Sequence, residues 1–286
     1  MKKRVFWLVI LLLFGYLVFQ KIADRERPYG ATKVDYQTIE IEIARDQIYQ
    51  GDLLLVNKEN PVHEAGVKND VVRLSQNEEL VKGYRLLDPT IAVSESVAKV
   101  FLEMVDAAQQ DNVSHFILNS GYRDMEEQEQ LYEEMGPEYA MPGGYSEHNV
   151  GSALDIGSTM MKMEHAPEGK WLEDNSWKYG FILRYPKDKA AITGTAYEPW
   201  HFRYVGLPHS AIMKNHNFSL EEYLNYVKEQ RHLSVPVDGK TYEITYYAVE
   251  QDMTIEVPID SSYMISGDNM GGVIVTTSHF DKEEKE

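Results

Sequence analysis

The two stretches that decide the fold are Ser-Glu-His-Asn-Val-Gly-Ser-Ala-Leu-Asp at residues 146–155 and Glu-Pro-Trp-His at residues 198–201. A catalytic zinc ion commonly takes three protein ligands and leaves one position open for water. His148, Asp155 and His201 can supply these three ligands. The two stretches therefore predict a zinc site suited to the hydrolysis of a peptide bond.

The spacing within the first stretch requires the backbone to turn. On a straight helix His148 and Asp155 would lie roughly 10 Å apart along the axis, and on a straight strand more than roughly 20 Å apart. Zinc bonds of roughly 2 Å require the two side chains to converge. Gly151 offers the permissive backbone for such a turn. We therefore expect His148 at the end of a loop and Asp155 on a strand.

The second stretch supplies a ligand and a base. Pro199 disfavours helical geometry at Glu198 and removes one backbone donor. We expect Glu198 and His201 on an irregular strand, where a bulge turns both side chains toward the metal. Glu198 is not needed as a ligand and is left as a base for the water. The helical His-Glu-x-x-His pattern is absent from the chain, which excludes that class of metalloprotease.

The chain resembles the zinc D-alanyl-D-alanine carboxypeptidases of the VanY type over residues 50–231, with a weaker match beyond. The family pattern Ser-x-His-x-x-Gly-x-Ala-x-Asp is met at residues 146–155, and Glu-x-Trp-His is met at residues 198–201. Upstream, Ser-Gly-Tyr-Arg at residues 120–123, followed by Gln128, matches the arginine segment of the family. No zinc or base position departs from the pattern.

This resemblance implies a fold, a cofactor and a reaction. The fold is an α+β zinc D,D-peptidase domain of the hedgehog/DD-peptidase-like class, with a mixed or antiparallel sheet flanked by helices. The cofactor is one Zn²⁺ per chain. The reaction is removal of the C-terminal D-alanine from peptidoglycan precursor peptides ending in D-Ala-D-Ala, which contributes to glycopeptide resistance. The alternatives are a related D-Ala-D-Ala dipeptidase, an L,D-carboxypeptidase, or a catalytically silent zinc-bearing module that binds the wall.

The resemblance also implies two catalytic roles beside the metal. Glu198 would take a proton from water and return it to the leaving D-alanine amine. Arg123, which is always charged and rigidly forked, would stabilise the oxyanion that forms during hydrolysis. The competing interpretation for Arg123 is a surface ion pair with Asp124 or a nearby glutamate.

Four further residues are candidates for binding the substrate. By resemblance, Ser146 and Gln128 would bind the end of the substrate, and their competing structural roles are a turn-capping hydroxyl and an exposed helix amide. Tyr145 and Trp200 would line the pocket, although aromatic residues at such places more often serve packing. The substrate-binding set is therefore Ser146, Gln128, Tyr145 and Trp200.

Hydrophobic periodicity and capping signals predict the elements around the site. Apolar residues from Val93 to Ala108 keep the i, i+4, i+7 rhythm of a core-facing helix. The mixture of helices and strands without a βαβ rhythm indicates an α+β fold. The other predicted elements are a buried strand at 116–118 leading to Arg123, a helix at 125–135, a helix at 171–179 closed by Gly180, a strand at 181–185, and a last helix that Ser219 and Glu222 cap and that ends near Arg231.

The N-terminus predicts a membrane anchor. Met-Lys-Lys-Arg precedes an almost uninterrupted apolar run from Val5 to Phe19. The run is near the lower limit for a span, which usually needs about 17 to 25 residues. A cleaved signal peptide is the rival, but no clean small-x-small site follows the run. We expect an uncleaved single-pass anchor in the cell membrane, with the catalytic part outside the cytoplasm.

Composition divides the chain into five parts. Residues 1–23 are the cytoplasmic tip and anchor, 24–48 a polar stalk, and 49–231 the catalytic domain. Residues 232–278, rich in Tyr, Thr, Ile and Val between glycine turns, predict a small β unit. Residues 279–286 are expected to form a disordered acidic tail.

Charge and cysteine content restrict the possible partners. The formal net charge of -18 argues against nucleic-acid binding, which favours a basic patch. The chain has no cysteine, which excludes disulfides and thiolate zinc ligands. The expected partners are therefore a peptide substrate and the membrane.

Overall fold

The computed structural model describes residues 37–137 and 139–280. The described residues from Thr38 to Phe280 belong to one compact unit. The predicted anchor at 1–23, the first part of the predicted stalk and the last residues of the predicted tail lie outside the described residues. Within the described ranges, no helix is both long and apolar enough to cross a membrane.

The described residues form six α-helices and thirteen strands. The strands are β1 (Thr38–Ile43), β2 (Val71–Arg73), β3 (Arg85–Leu86), β4 (Ala92–Ser94), β5 (Phe116–Ser120), β6 (Ala153–Ser158), β7 (Phe181–Leu183), β8 (His201–Tyr204), β9 (His232–Val237), β10 (Lys240–Ala248), β11 (Met253–Pro258), β12 (Ser262–Gly267) and β13 (Gly272–Phe280). The helices are α1 (Glu95–Gln110), α2 (Met125–Met135), α3 (Pro167–Asn175), α4 (Ala190–Thr193), α5 (His209–His216) and α6 (Leu220–Gln230).

A five-stranded sheet carries the two predicted segments. Its strand order is β3-β5-β6-β8-β7. β3 and β5 are parallel, and the other neighbours are antiparallel. Asp155 on β6 lies directly opposite His201 on β8 in the register. The mixed sheet with flanking helices confirms the predicted α+β class.

The helices predicted from Val93 to Ala108 and at 125–135 are confirmed by α1 and α2. α1 begins after Ser94, whose side chain accepts a hydrogen bond from the Val97 amide, and its buried face packs into the main core. α2 begins with a capping box between Asp124 and Glu127. Arg123 is therefore held immediately before the first turn of a helix, at the predicted junction between strand and helix.

The other predicted elements are present, but the helix predicted at 171–179 begins at Pro167 and is α-helical only to Asn175. The capping box of Ser219 and Glu222 opens α6, as predicted. α3 is followed by a 3₁₀ turn over Ser176–Tyr179, which Gly180 ends in the left-handed conformation. β7 covers only the first three residues of its predicted range.

The C-terminal residues form the predicted β structure, but its limits differ from the prediction. A four-stranded antiparallel sheet has the order β12-β13-β10-β9, and β1 pairs separately with β11. The prediction of a stalk is wrong from Thr38 onward, because the alternating Thr-Ile-Glu-Ile-Glu-Ile pattern forms β1 and buries Ile43 completely. The predicted tail is wrong at residues 279 and 280, which belong to β13.

The C-terminal sheet shares a hydrophobic cluster with α5, α6 and the chain around Leu53. Leu53, Ile212 and Tyr223 are buried in the same cluster as Ile244 and Ile274 of the C-terminal sheet. The same cluster contains residues before and after position 232, where the composition predicted the boundary between the catalytic domain and the small β unit. The C-terminal sheet is therefore packed as a continuation of the catalytic part.

A buried histidine links α5 and α6 to the C-terminal sheet. His209 is 4% exposed, its Nδ1 lies 2.7 Å from the Tyr223 hydroxyl, and its Nε2 lies 3.2 Å from Thr276 Oγ1. Burial lowers the pKa of His209 to about 3. The imidazole is therefore neutral in the folded protein at neutral pH, and neither contact is a carboxylate.

We predict that this histidine makes the fold sensitive to mild acid. Between the ordinary histidine pKa of about 6.5 and the lowered value, the unfolded chain binds a proton that the folded chain does not. The contribution of His209 to the free energy of unfolding is thus fully present above pH 6.5 and decreases as the pH falls. At pH 5 the loss is about 2 kcal/mol. Urea unfolding of metal-free protein at pH 7 and pH 5 measures the loss, and His209→Gln should lose less stability between the two pH values. An equal loss in both proteins would contradict the prediction.

Candidate metal centre

His148 is oriented by a main-chain carbonyl. It lies in a short 3₁₀ turn, Glu147–Asn149, that precedes β6. Its Nδ1 lies 2.6 Å from the Gly121 carbonyl oxygen and donates to it, which leaves the Nε2 lone pair free. Gly151 adopts a φ of 93°, in the left-handed region that glycine favours, and turns the chain into the strand. The expected loop and turn are therefore present.

Three ligand atoms converge on one point. His148 Nε2 lies 3.4 Å from Asp155 Oδ2, and His201 Nδ1 lies 3.1 Å from Asp155 Oδ1. One ligand atom from each of the three residues lies within 4.8 Å of the others. Ligands at about 2.0–2.1 Å from a tetrahedral zinc ion are about 3.3 Å from each other, so the spacing fits. The donor set of two imidazoles and one carboxylate also fits zinc.

A tight turn, and not a bulged strand, brings Glu198 to the site. The His201 amide donates to the Glu198 carbonyl at 3.2 Å, so the two residues close a four-residue turn before β8. The predicted bulge is wrong because Pro199 occupies the second position of the turn, where its fixed φ is favoured. The Glu198 carboxylate lies 3.7 Å from His201 Nδ1. It is therefore beside the ligand cluster without completing it.

The charge states of the cluster suit a divalent cation. Burial would raise the pKa of Asp155, but the two histidines hold it well below its usual range. Burial lowers the pKa of His148. For His201 burial acts in the same direction, but hydrogen bonds to Asp155 and Glu147 raise its pKa to about 9. Asp155 and Glu147 thus stabilise a positive charge at His201, which a bound cation would supply in place of the proton that His201 must lose to become a ligand.

The Glu198 carboxylate differs from Asp155 in its surroundings. Burial raises the pKa of Glu198, and the nearby carboxylates of Asp155 and Glu147 act in the same direction. Its side chain is still 27% exposed. A carboxylate with raised basicity that remains open to solvent can exchange a proton with water.

Glu147 holds the far side of His201, a contact that was not predicted from the sequence. Its Oε2 lies 3.3 Å from His201 Nε2, and its Oε1 lies 2.7 Å from Arg184 Nε and 3.1 Å from Arg203 Nη1. The side chains of Glu147, Arg184 and Arg203 are completely buried. Burial would raise the pKa of Glu147, but Arg184 and Arg203 hold it well below its usual range. The carboxylate is thus ionised and fixes the His201 ring so that Nδ1 faces Asp155.

Arg123 lies near the cluster without an ion-pair partner. Among the described residues no salt bridge to its guanidinium is formed, and its Nε atom is buried without a hydrogen bond. Burial lowers its pKa, although Asp155, Glu127 and Glu198 act in the opposite direction. The competing interpretation, a surface ion pair with Asp124, does not describe this arrangement. The partly exposed Arg123 guanidinium, which pairs with no carboxylate of the described residues, is available for a substrate oxygen.

The four predicted substrate-binding residues have different surroundings. Ser146 is 8% exposed and its hydroxyl accepts from the His148 amide at 3.3 Å, which is the capping role. Gln128 is 1% exposed, so it is not an exposed helix amide. Its Nε2 donates to the Met141 carbonyl at 2.6 Å, and its Oε1 is buried without a partner. Tyr145 is half-buried, whereas Trp200 is 41% exposed.

Comparisons with known proteins agree with this geometry. The family model described as "VanY: D-alanyl-D-alanine carboxypeptidase" matches residues 90–207. A curated D-alanyl-D-alanine carboxypeptidase from Enterococcus faecium is 52% identical, and the match covers 96% of each chain. A bifunctional D-Ala-D-Ala dipeptidase and carboxypeptidase, VanXYC from Enterococcus gallinarum, is 36% identical over 50% of this chain and 82% of its own.

Two solved structures extend the similarity to the fold. The vancomycin resistance D,D-dipeptidase VanXYg, in complex with a D-Ala-D-Ala phosphinate analogue, is 31% identical with a TM-score of 0.75 and covers 85% of this chain and 100% of its own. A point mutant of the vancomycin resistance D,D-pentapeptidase VanY from the VanB-type cassette, in complex with Zn(II), is 30% identical with a TM-score of 0.51. It covers 61% of this chain and 99% of its own.

We predict that Glu147 contributes to metal affinity through His201. Glu147→Gln should weaken zinc binding by about 10- to 100-fold, because the His201 ring loses a charged acceptor. Titration of metal-free protein in competition with a chromogenic chelator measures the affinity.

The matched control is Glu221→Gln. Glu221 binds the other end of Arg184 at 2.6 Å and does not touch His201. This variant removes one negative charge from the same buried network and should leave zinc affinity within about twofold of the native value, since no bond to a ligand changes. An equal loss of affinity in both variants would show that Glu147 acts only through the fold.

Proposed function

The chain belongs to the VanY family of D-alanyl-D-alanine carboxypeptidases, and on this premise we propose that it is a zinc-dependent D,D-carboxypeptidase acting on peptidoglycan precursor peptides. It removes the C-terminal D-alanine from peptides that end in D-Ala-D-Ala. Glycopeptide antibiotics bind that terminus, so its removal contributes to resistance. The observation that carries the proposal is the convergence of His148, Asp155 and His201 beside an unliganded Glu198.

His148, Asp155 and His201 would hold one Zn²⁺. When bound, this ion lowers the pKa of water toward about 7 and polarises the scissile carbonyl. The Gly121 carbonyl and the Glu147 carboxylate fix the two imidazole rings, so that each presents one nitrogen to the same point. The ligands are thus oriented before metal or substrate arrives.

Glu198 and Arg123 would move the proton and stabilise the charge. The Glu198 carboxylate takes a proton from the attacking water as the new C–O bond forms. It then gives this proton to the amine of the leaving D-alanine as the C–N bond breaks. The Arg123 guanidinium donates to the carbonyl oxygen as negative charge develops on it. Its lack of a carboxylate partner in the described structure supports this role.

The substrate terminus would lie against the loop before His148. Ser146 and Tyr145 occupy this loop, and Gln128 supports it through the Met141 carbonyl. The exposed Trp200 ring would border the opposite side. A silent wall-binding module would have no use for a basic carboxylate beside the ligand cluster, so Glu198 argues against that alternative.

We predict release of one D-alanine from a muramyl pentapeptide linked to UDP. A soluble form beginning near Gln37 should convert the pentapeptide to the tetrapeptide, and a chelator should abolish the conversion because the ligand cluster loses its ion. Mass spectrometry identifies the products, with free D-Ala-D-Ala and the tetrapeptide as parallel substrates. Cleavage of the dipeptide alone would indicate a dipeptidase, and cleavage of the tetrapeptide an L,D-carboxypeptidase.

The control for this assay separates catalysis from metal binding. Glu198→Gln keeps the shape of the side chain and should retain stoichiometric zinc, but it should lose at least about a hundredfold in kcat because the base is gone. His201→Ala should lose bound zinc. Turnover retained by Glu198→Gln would remove Glu198 as the base.

We also propose that residues 1–23 anchor the enzyme in the cell membrane, with the catalytic part outside the cytoplasm. The apolar run from Val5 to Phe19 and the absence of a clean cleavage site support this location. We predict that the protein recovered from membranes keeps its original N-terminus. N-terminal sequencing that finds a mature end near residue 25 would instead indicate a cleaved signal peptide.

A further inference from the structure

We infer that Asn269, in the turn between β12 and β13, is a positioning residue for the loop over residues 141–146 that carries Tyr145 and Ser146. The inference rests on the proposed function, because it assigns to the C-terminal sheet a role in binding the substrate end. Asn269 lies outside residues 90–207, which the family model matches. The connection consists of two steps, both made by hydrogen bonds to backbone carbonyls.

The first step joins Asn269 to a narrow loop near the N-terminal end of the catalytic part. The side-chain Nδ2 of Asn269 donates to the carbonyl oxygens of Leu55 and Pro61, both at 2.9 Å. Between these carbonyls the chain reverses direction through paired hydrogen bonds of Asn57 and Asn60. Both amide hydrogens are thus used to hold the two arms of one loop together. Asn269 is 8% exposed, so water does not replace these bonds without cost.

The second step joins this loop to the substrate side. Val62 directly follows Pro61, and its amide donates to the Gly144 carbonyl at 2.7 Å. The Gly144 amide in turn donates to Asn149 Oδ1 at 3.0 Å. Gly144 is therefore held on both sides, and Tyr145 and Ser146 follow it directly. A shift of the Val62 arm would move these two residues.

The turn is built to keep the Asn269 amide in place. Asp268 Oδ1 accepts from the amides of Met270 and Gly272, and its Oδ2 accepts from the Tyr246 hydroxyl. Asn269 itself has a φ of 63°, in the left-handed region where asparagine and glycine are favoured. An aspartate at this position would put a carboxylate oxygen in place of Nδ2, against the carbonyl oxygens of Leu55 and Pro61. The position therefore needs a residue that tolerates this backbone and donates twice, and asparagine meets both needs.

The test is the kinetics of Asn269→Gly on the pentapeptide. Glycine keeps the positive φ and removes both side-chain donors, so the Pro61 arm of the loop loses its bond to the turn while the Leu55 amide keeps its bond to the Asp268 carbonyl. We expect KM to rise about tenfold and kcat to change less than about threefold, with zinc content unchanged, because ground-state binding alone is weakened. Asn269→Asp, which keeps the size of the side chain, should show the same separation of KM from kcat if the glycine variant folds poorly.

Two control variants exclude a general loss of stability. Tyr246→Phe removes one hydrogen bond from the same turn and leaves both Asn269 donors in place. Asn217→Gly makes the same change at another positive-φ asparagine, at the end of α5. Tyr246→Phe should lower the melting temperature, Asn217→Gly should change it little because glycine is favoured at a left-handed helix end, and both should leave KM unchanged. A KM for Asn269→Gly and Asn269→Asp within about twofold of the native value would overturn the inference.

Hydrogen exchange separates this inference from the proposed function. In Asn269→Gly the amides of Val62 and Gly144 should exchange faster, whereas those of the metal-ligand strands β6 and β8 should not. We expect this result even if the native enzyme releases no D-alanine. In that case the proposed function would be wrong, but the hydrogen-bonded connection from Asn269 to Gly144 would be confirmed. Unchanged exchange at Val62 and Gly144 would refute the connection whatever the activity.

Discussion

One buried carboxylate joins the parts of the molecule that form the metal site. Glu147 faces Arg184, Arg203 and His201, and Arg184 continues to Glu221 at the start of α6. Burying charges is costly, and removing one partner of such a pair costs about 3–5 kcal/mol because the other charge remains buried. The network therefore adds little to the free energy of unfolding. Its main effect is to fix the His201 ring relative to the five-stranded sheet and α6. A metal ligand held in this way loses little freedom when the ion binds.

The sequence predicted the ligands and the main helices because these depend on local patterns. The turn at Gly151 follows from covalent geometry, since no regular element could bring the ligands on either side of it together. Glu147 was missed because its partners are far away in the chain, and a glutamate in a short motif gives no sign that it is buried. The turn at Glu198 was predicted as a bulge, since Pro199 excludes a helix but does not choose between turn and strand. β1 was missed because its partner strand lies more than 200 residues away.

The net negative charge of the protein repels the proposed substrate, which is also negatively charged. Residues close to the site must therefore provide the attraction. The formal net charge is -18, and the substrate ends in a carboxylate. At physiological ionic strength the Debye length is about 8 Å, so most of this charge is screened from the site. Arg123 is the nearby cation that no carboxylate of the described residues pairs with. The ligand cluster adds positive charge only when it is loaded. Metal binding and substrate binding should therefore support each other.

The shared core decides how the C-terminal sheet can be studied. Ile244, Tyr246 and Ile274 pack with Leu53 and Tyr223 in one cluster. Each such side chain contributes about 1.5–3 kcal/mol on burial, and a typical domain is stable by only about 5–15 kcal/mol. Removing the whole sheet would thus expose this cluster and destabilise the catalytic part, whatever else the sheet does. Loss of activity after such a deletion would not distinguish a wall-binding module from a structural support. Only substitutions that leave the core intact and change single hydrogen bonds can separate the two.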